Sequence, residues 1–306
     1  MVGISVIVTA HDEAAFLGAA IDSVLAQELP ADEIVVVDDG SMDGTHAVMD
    51  ACAAARPDVI RTLTLPRNRG APFARNAGAA QARGELLAFL DGDDLWLPRK
   101  LAVQHAILDQ HREVGYTYGS AIELRDGRVS PNPERLGSSS GVYRPPELCI
   151  GYLRDTYWNF WPSGLLIRRA TFALTGGFVE ALGAYQHWED YFYACVLALT
   201  EPAYVLDEPL TLYRVHDASC SRRAQLSKKT IVDERVGLQW FADQLAARGP
   251  RPAPPEIVVA LEERLERNVR QFVEALPERP ELGEYASLYA PAALDRVRAG
   301  LGGLRT

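Results

Sequence analysis

Three short loops hold most of the residues here whose chemistry goes beyond packing: Thr9-Ala10-His11-Asp12-Glu13, Asp38-Asp39-Gly40-Ser41 and Asp91-Gly92-Asp93-Asp94. Each follows a run of apolar, largely β-branched or leucine-rich residues, at 3–9, 33–37 and 85–90. Such runs suit strands buried on both faces. Ligands of an open parallel sheet bind beyond the carboxyl ends of its strands. If the three runs are parallel strands, their loops therefore share one rim and their carboxylates crowd one crevice. Carboxylates so placed repel and partly protonate unless a cation or hydrogen-bond donors keep them ionised. A divalent metal meets that need, because Mg²⁺ and Mn²⁺ are commonly held by one or two carboxylates plus the phosphate oxygens of a substrate. An acidic rim can thereby accept an anionic ligand.

The surrounding pattern predicts the scaffold. Phe16, Ala20, Val24 and Gln27 recur at helical spacing between the first two strands. Further helices are expected over 43–56 and 72–82, with a third strand near 59–65. This β-α-β-α rhythm indicates an α/β fold, a mostly parallel sheet flanked by helices. Residues 127–141, rich in Pro, Ser, Gly and Asn, read as a loop. A strand near 164–168, a helix over 189–199 and extended pieces at 203–206 and 212–216 follow. Beyond residue 222 the pattern turns helical, with Ile231, Leu238, Phe241 and Leu245 on one face and Leu261, Leu265, Val269, Phe272 and Leu276 on another. Arg264, Arg267 and Arg270 alternate with glutamates and read as a solvated face. The expected division is a ligand-binding unit over 1–222 and a helical appendage over 223–306.

Composition narrows the function classes. The 306 residues carry 31 basic against 41 acidic side chains, a formal charge of −10, so no global positive field attracts a nucleic-acid backbone. No apolar run is long enough for a membrane-spanning helix. The apolar start lacks a basic flank and meets His11-Asp12-Glu13 at once, so no leader is read there. The four cysteines are scattered, which points to a reducing cytoplasm. Neither G-x-G-x-x-G nor G-x-x-x-x-G-K-[ST] occurs, which disfavours dinucleotide redox chemistry and P-loop hydrolysis.

Several ordered motifs resemble family 2 glycosyltransferases of the GT-A (Rossmann-like) fold. They are residues 5–13, Ser23-Val24-Leu25-Ala26-Gln27, residues 33–45, Ala74-Arg75-Asn76-Ala77-Gly78, residues 84–94, Gly176-Gly177-Phe178 and Glu189-Asp190. The resemblance covers roughly residues 2–220 and implies a nucleotide-diphosphate sugar donor, with a UDP-sugar foremost. It implies that Thr9, His11 and Glu13 line the nucleotide pocket and that Asp39 bonds the base; Arg75 either pairs with the acidic crevice, where it would join the nucleotide-sugar contacts, or faces solvent on its helix. His11-Asp12 departs from the aromatic residue, often a Tyr-Asn pair, of many relatives. Asp91-Gly92-Asp93 matches the family's DxD motif, with Asp91 toward the ribose or sugar and Asp93 on the metal. His216 matches a position that in some relatives completes the metal shell, and Asp190 matches the catalytic base. One base opposite the leaving group implies a single displacement and inversion at the anomeric carbon. Trp158, Trp161, Trp188 and Glu189 are candidates for acceptor contact, although aromatic clusters equally build cores.

The acceptor would be a hydroxyl on a glycan, a lipid-linked sugar or a small molecule. Without the Gln-x-x-Arg-Trp motif of processive synthases, single additions are expected. A peripheral membrane association and a homodimer through the C-terminal helices both stay open. Two other classes are weighed. A nucleotidyltransferase that makes sugar nucleotides would need a glycine-rich, basic loop after the first strand, where His11-Asp12-Glu13 stands. A catalytically silent sugar-nucleotide-binding subunit would have no need of Asp91, Asp93 and Asp190 together, and a turnover assay separates it.

Overall fold

A computed structural model describes residues 3–130, 139–156, 160–182, 188–216, 230–247, 253–275, 280–290 and 295. The elements run β1 (Ile4–Ala10), α1 (Leu17–Leu25), β2 (Glu33–Asp38), α2 (Thr45–Ala55), β3 (Ile60–Thr64), α3 (Ala71–Gln81) and β4 (Leu86–Asp91). Then come β5 (Leu95–Trp96), α4 (Lys100–Gln110), β6 (Tyr116–Arg125), β7 (Arg128–Val129), β8 (Gly141–Tyr143), α5 (Glu147–Leu153), β9 (Leu165–Arg168) and α6 (Arg169–Thr175). The chain continues through α7 (Glu189–Thr200), β10 (Ala203–Val215), α8 (Thr230–Ala247) and α9 (Pro255–Ala275).

One mixed sheet runs in the order β3-β2-β1-β4-β9-β6-β10-β5, with β7 on β6 and β8 on β10. The β3-β2-β1-β4 half is parallel, and β9 then pairs antiparallel with both β4 and β6. β1 and β2 are buried along their whole length, which is why their residues form near-continuous apolar runs. Alternate side chains of β1 serve opposite layers. Val6 and Val8 pack with Ile21 and Val24 of α1 and Leu101 of α4, whereas Ile7 joins the layer of α3, α5 and α7. Leu238 and Phe241 of α8 and Leu261 of α9 belong to that second layer, so the C-terminal helices share the principal core.

Helix α1, which the spacing of Phe16, Ala20, Val24 and Gln27 places at about 13–27, begins at Leu17 and ends at Leu25. The residues before it are taken up by the neighbouring loop. Asp12, at φ 56°, donates its N–H to Ser41 Oγ (2.9 Å) and accepts from Met42 N–H at Oδ1 (2.8 Å). Glu13 N–H donates to Thr45 Oγ1 at 2.8 Å. The two extended pieces near the end of the sheet are one strand, β10, with register shifts on either side of Pro209, which has no N–H for the ladder.

Arg270 is exposed, as expected of a solvated face, but the other two tail arginines require a correction. Arg264 is not solvated: it is 6% exposed and pairs with Glu234 and Asp155, while Arg267 also pairs with Asp155. Periodic alternation with glutamate marks a surface helix only when no partner element covers it, and α8 and α5 cover this one.

Gly78 shows how closely α3 approaches the sheet. A Cβ there would lie 2.5 Å from Ile7 Cγ2 and 2.9 Å from Val37 Cγ2. Both belong to fully buried side chains. Gly78→Val is therefore expected to destabilise the fold by about 1–3 kcal/mol through overpacking, read as a lower urea midpoint at unchanged m.

Candidate active site

The sheet register assembles the rim. Thr9 pairs with Val37 on one side and Asp91 on the other, so β1, β2 and β4 end side by side. Asp39 N–H donates to Ala10 O (2.9 Å) and Gly92 N–H to Thr9 O (2.8 Å), bringing the second and third acidic loops to the end of the first strand. A Cβ on Gly92 would collide with the Glu13 carboxylate, so Glu13 rests directly on the third loop. Asp39 is 3% exposed, and its two oxygens accept the N–H groups of Arg69 and Gly70, both at 2.8 Å. Burial raises its pKa, while those two donors and the nearby His11 pull it back. Asp39 thus ties the entry of α3 to the rim.

Arg75 lies in α3, and its guanidinium joins the rim to the start of α7. Its Nη2 and Nε donate to Asp91 Oδ1 at 2.7 and 3.2 Å, and Thr9 Oγ1 lies 3.4 Å from the same oxygen. Burial opposes its charge, but Asp91, Glu189 and Asp190 together hold it protonated. The next motif residue, Asn76, exchanges hydrogen bonds with the backbone of Phe178, N–H to Oδ1 and Nδ2 to O, each 2.9 Å. The Ala74-Arg75-Asn76-Ala77-Gly78 motif thereby divides its work among the site, the Gly177-Phe178 turn and the sheet.

At the start of α7, burial pushes the Asp190 carboxyl up to about 6, against the pull of Arg75 and of the Tyr191 N–H, which donates to Asp190 Oδ1 at 2.7 Å. Burial, then the neighbouring Asp190, pushes Glu189 up to about 8 despite Arg75. The sign of the stability effect follows. The folded chain keeps the Glu189 proton where the unfolded chain, at the ordinary value of 4.5, has lost it, so this group's contribution falls as pH rises from about 4.5 through 8. Glu189→Gln is expected to match the parent in urea unfolding at pH 5 and to exceed it at pH 8.

Asp93 and His216 meet on the other side of the third loop, with His216 Nε2 3.1 Å from Asp93 Oδ2. The His216 ring packs 4.7 Å from Phe16, centroid to centroid, and Arg214 Nε donates to the Asp93 carbonyl at 2.6 Å. Asp94 is buried beneath them and accepts from Ser163 Oγ (2.6 Å) and Arg214 N–H (2.9 Å). Burial, with Asp93 and Asp91 nearby, raises its pKa well above the ordinary value. Ser163 Oγ also accepts the Asp91 N–H at 3.1 Å.

Among the described residues no three His, Cys, Asp or Glu side chains converge as a closed metal cage. The Asp93–His216 pair nevertheless fits a small dication. Neighbouring ligands of an octahedral ion at about 2.1 Å are separated by about 3 Å, and Mg²⁺-type ions fill their other positions with water and phosphate oxygens.

Three buried polar atoms have no hydrogen-bond partner among the described residues and lie in this region: His11 Nδ1, Arg75 Nη1 and Glu189 Oε2. Buried groups of this kind cost about 1–3 kcal/mol each when unsatisfied, and a polar ligand or ordered water would satisfy them.

Thr9, Glu13, Arg75 and Asp91 are thus brought together, with His11 beside Asp39, Asp93 on His216, and Glu189-Asp190 reached through Arg75. Trp161 and Trp188 sit on different elements. The first packs on Tyr213 at 5.9 Å, and the second packs on Tyr191 at 5.2 Å while its Nε1 donates to Thr230 O at 3.0 Å. Trp158 lies outside the described residues. Ser163 and Arg214, which orient the third loop, went unassigned in the sequence. For Arg214 its place two residues before His216 was a signal, but for Ser163 there was none.

Residues 5–172 match the family model described as Glycosyl transferase family 2. An uncharacterized glycosyltransferase, alr2836 of Nostoc sp., is 34% identical over 218 residues, covering 71% of this chain and 66% of that protein. The chain spans smaller shares of other curated relatives, 27% of one and 50% of another. Among solved structures, S. aureus TarS 1-349 in complex with UDP superposes with a TM-score of 0.66 at 20% identity, covering 99% of this chain and 87% of that one. The mannosyltransferase PcManGT from Pyrobaculum calidifontis, in complex with GDP-Man and Mn²⁺, superposes with a TM-score of 0.55 at 20% identity, covering 99% and 85%. At these identities the likeness is one of fold, the GT-A arrangement of a mixed, mostly parallel sheet flanked by helices.

Proposed function

Because the chain belongs to glycosyl transferase family 2, we propose that it transfers a sugar from a nucleotide-diphosphate sugar, a UDP-sugar foremost, to an acceptor hydroxyl with inversion. The observation that supports this reading is the set of buried polar atoms with no partner among the described residues: His11 Nδ1 and Arg75 Nη1 beside the rim where β1, β2 and β4 end, and Glu189 Oε2 at the start of α7, across from Arg75. Thr9, His11, Glu13 and Asp39 bind the nucleotide. Arg75 orients Asp91 toward the donor sugar.

Asp190 accepts the proton of the attacking hydroxyl, and its elevated pKa of about 6 keeps it ionised yet basic near neutral pH. Asp93 and His216 would hold Mn²⁺ or Mg²⁺, which when bound offsets the charge growing on the departing diphosphate. The solved complexes of TarS with UDP and of PcManGT with GDP-Man and Mn²⁺ support a donor and a metal of these classes. Residues 1–222 form the catalytic unit in this reading, and 223–306 the helical part that braces it. No helix among the described residues is long and apolar enough to cross a membrane.

A thermal-shift panel of UDP, UDP-sugars and GDP-sugars, each with and without Mn²⁺, tests the donor and the metal together. UDP or a UDP-sugar is expected to stabilise the protein only with metal present, by about 2.7 kcal/mol at a ligand concentration a hundred times Kd. Asp93→Ala should abolish that shift. Equal stabilisation by UDP without metal, or in Asp93→Ala, would remove Asp93 from the metal role.

A further inference from the structure

Helix α7 delivers Glu189 and Asp190 to the site, and the residues flanking that pair are gripped by the C-terminal helices. Trp188 precedes it and Tyr191 follows it. The guanidinium carbon of Arg264, in α9, lies 5.7 Å from the Trp188 ring centroid and 5.6 Å from that of Tyr191, within cation–π range of both. The same guanidinium is itself immobilised, with Nε donating to Glu234 of α8 and Nη1 to Asp155 just after α5. Asn268 Nδ2 holds Glu234 from the other side, at 2.8 Å to Oε2. Trp188 Nε1 is anchored to the Thr230 carbonyl where α8 begins, and Tyr191 Oη donates to the Tyr152 carbonyl of α5 at 2.8 Å. Where α8 crosses α7, a Cβ at Gly237 would collide with the Phe192 ring.

A guanidinium is suited to this task. It stacks on aromatic faces and donates in a rigid fork, which fixes direction as well as distance. Proton abstraction is sensitive to small displacements, since misplacing a reacting group by about 1 Å can cost about a hundredfold.

We propose that Arg264 is a positioning residue for Asp190: the C-terminal helices set the base from outside the sheet by clamping Trp188 and Tyr191 on either side of it. This rests on the assignment of Asp190 as the base. The charged groups that face Asp190 are Arg75 from α3, Asp91 from β4 and its neighbour Glu189. Loosening the clamp moves Asp190 relative to Arg75, and both the rate and the proton affinity of the base respond.

The test compares Arg264→Met, Asp155→Asn and Arg264→Lys in the full chain, with kcat, donor KM and the pH profile of kcat/KM as readouts. Arg264→Met and Asp155→Asn are each expected to lower kcat about ten- to a hundredfold with donor KM within about twofold, and to move the acid limb to higher pH. Arg264→Lys, which keeps a cation over the rings, should recover part of the loss. A purely architectural arginine would reduce the active fraction equally at all pH values. An unmoved limb, or parental kcat in either charge-removing variant, overturns the proposal. If Arg264→Met does not fold, Asp155→Asn decides alone, because Asn keeps the shape and suits the φ of 55° at that position. Asp190→Asn is assayed alongside. Parental turnover there defeats the base assignment, whereas a dead Asp190→Asn with a parental Arg264→Met defeats only the clamp.

Discussion

Asp190→Asn should lose about 10²- to 10⁴-fold in kcat while keeping the metal-dependent thermal shift with donor nucleotide. Asn preserves the size of the side chain and the acceptor for the Tyr191 N–H, but it has no basic oxygen for the acceptor's proton. In the parent, kcat/KM should decline below a pKa of about 6, falling tenfold per pH unit once the carboxylate is mostly protonated. Removing the base should take that limb with it. Near-parental turnover in Asp190→Asn would require another residue in the role, and Glu189, pushed up to about 8, is the next group to examine.

Arg75→Ala is expected to destabilise the fold by about 3–5 kcal/mol near neutral pH, the usual cost of stripping a buried charge of its partner. Arg75 is 5% exposed and is the counter-charge shared by Asp91, Glu189 and Asp190. Without it the Glu189 and Asp190 carboxyls, which Arg75 holds down, rise further, so the loss should shrink as they take up protons toward pH 5. Urea unfolding at pH 7.5 and pH 5 measures both effects. Equal destabilisation at the two pH values would mean that Arg75 acts by packing, including its approach to the Phe178 ring at 5.2 Å, rather than by charge. Arg75→Lys should recover only part, since one ammonium cannot reproduce the paired Nε and Nη2 bonds to Asp91.

Much of the site could be read from local order in the chain. Apolar runs that end in acids announce parallel strands with a polar rim, because the middle of a strand buried on both faces is apolar and its charged residues gather at the ends, as Glu33 and Asp38 do in β2. The observed register, with Thr9 between Val37 and Asp91, is the arrangement this requires. The Ala74-Arg75-Asn76-Ala77-Gly78 motif was visible only through the family resemblance, since the partners it serves, Asp91, Phe178 and Ile7, lie elsewhere in the chain. The antiparallel insertion of β9 beside β4 was not legible, because strand direction depends on the path of the connection and not on the strand's composition. Nor was the burial of Arg264. An arginine alternating with glutamates looks the same on a solvated helix as on one covered by α8 and α5.

Amino-acid order alone therefore pointed to the α/β class and the three acidic strand ends with Asp39, Asp91 and Asp93, since periodicity and motif spacing are properties of neighbours in the chain, whereas Asp190 became a candidate only through the family resemblance. Three-dimensional packing decided which atoms of which partners contact those acids. The Arg75 pair with Asp91, the His216 contact with Asp93, the Ser163 Oγ and Arg214 N–H donors to Asp94, and Arg264 over the rings of Trp188 and Tyr191 all join elements distant in sequence. The reason is energetic. A buried carboxylate is tolerated only with a counter-charge or donor within hydrogen-bond reach, and folding can recruit that partner from any element it brings near.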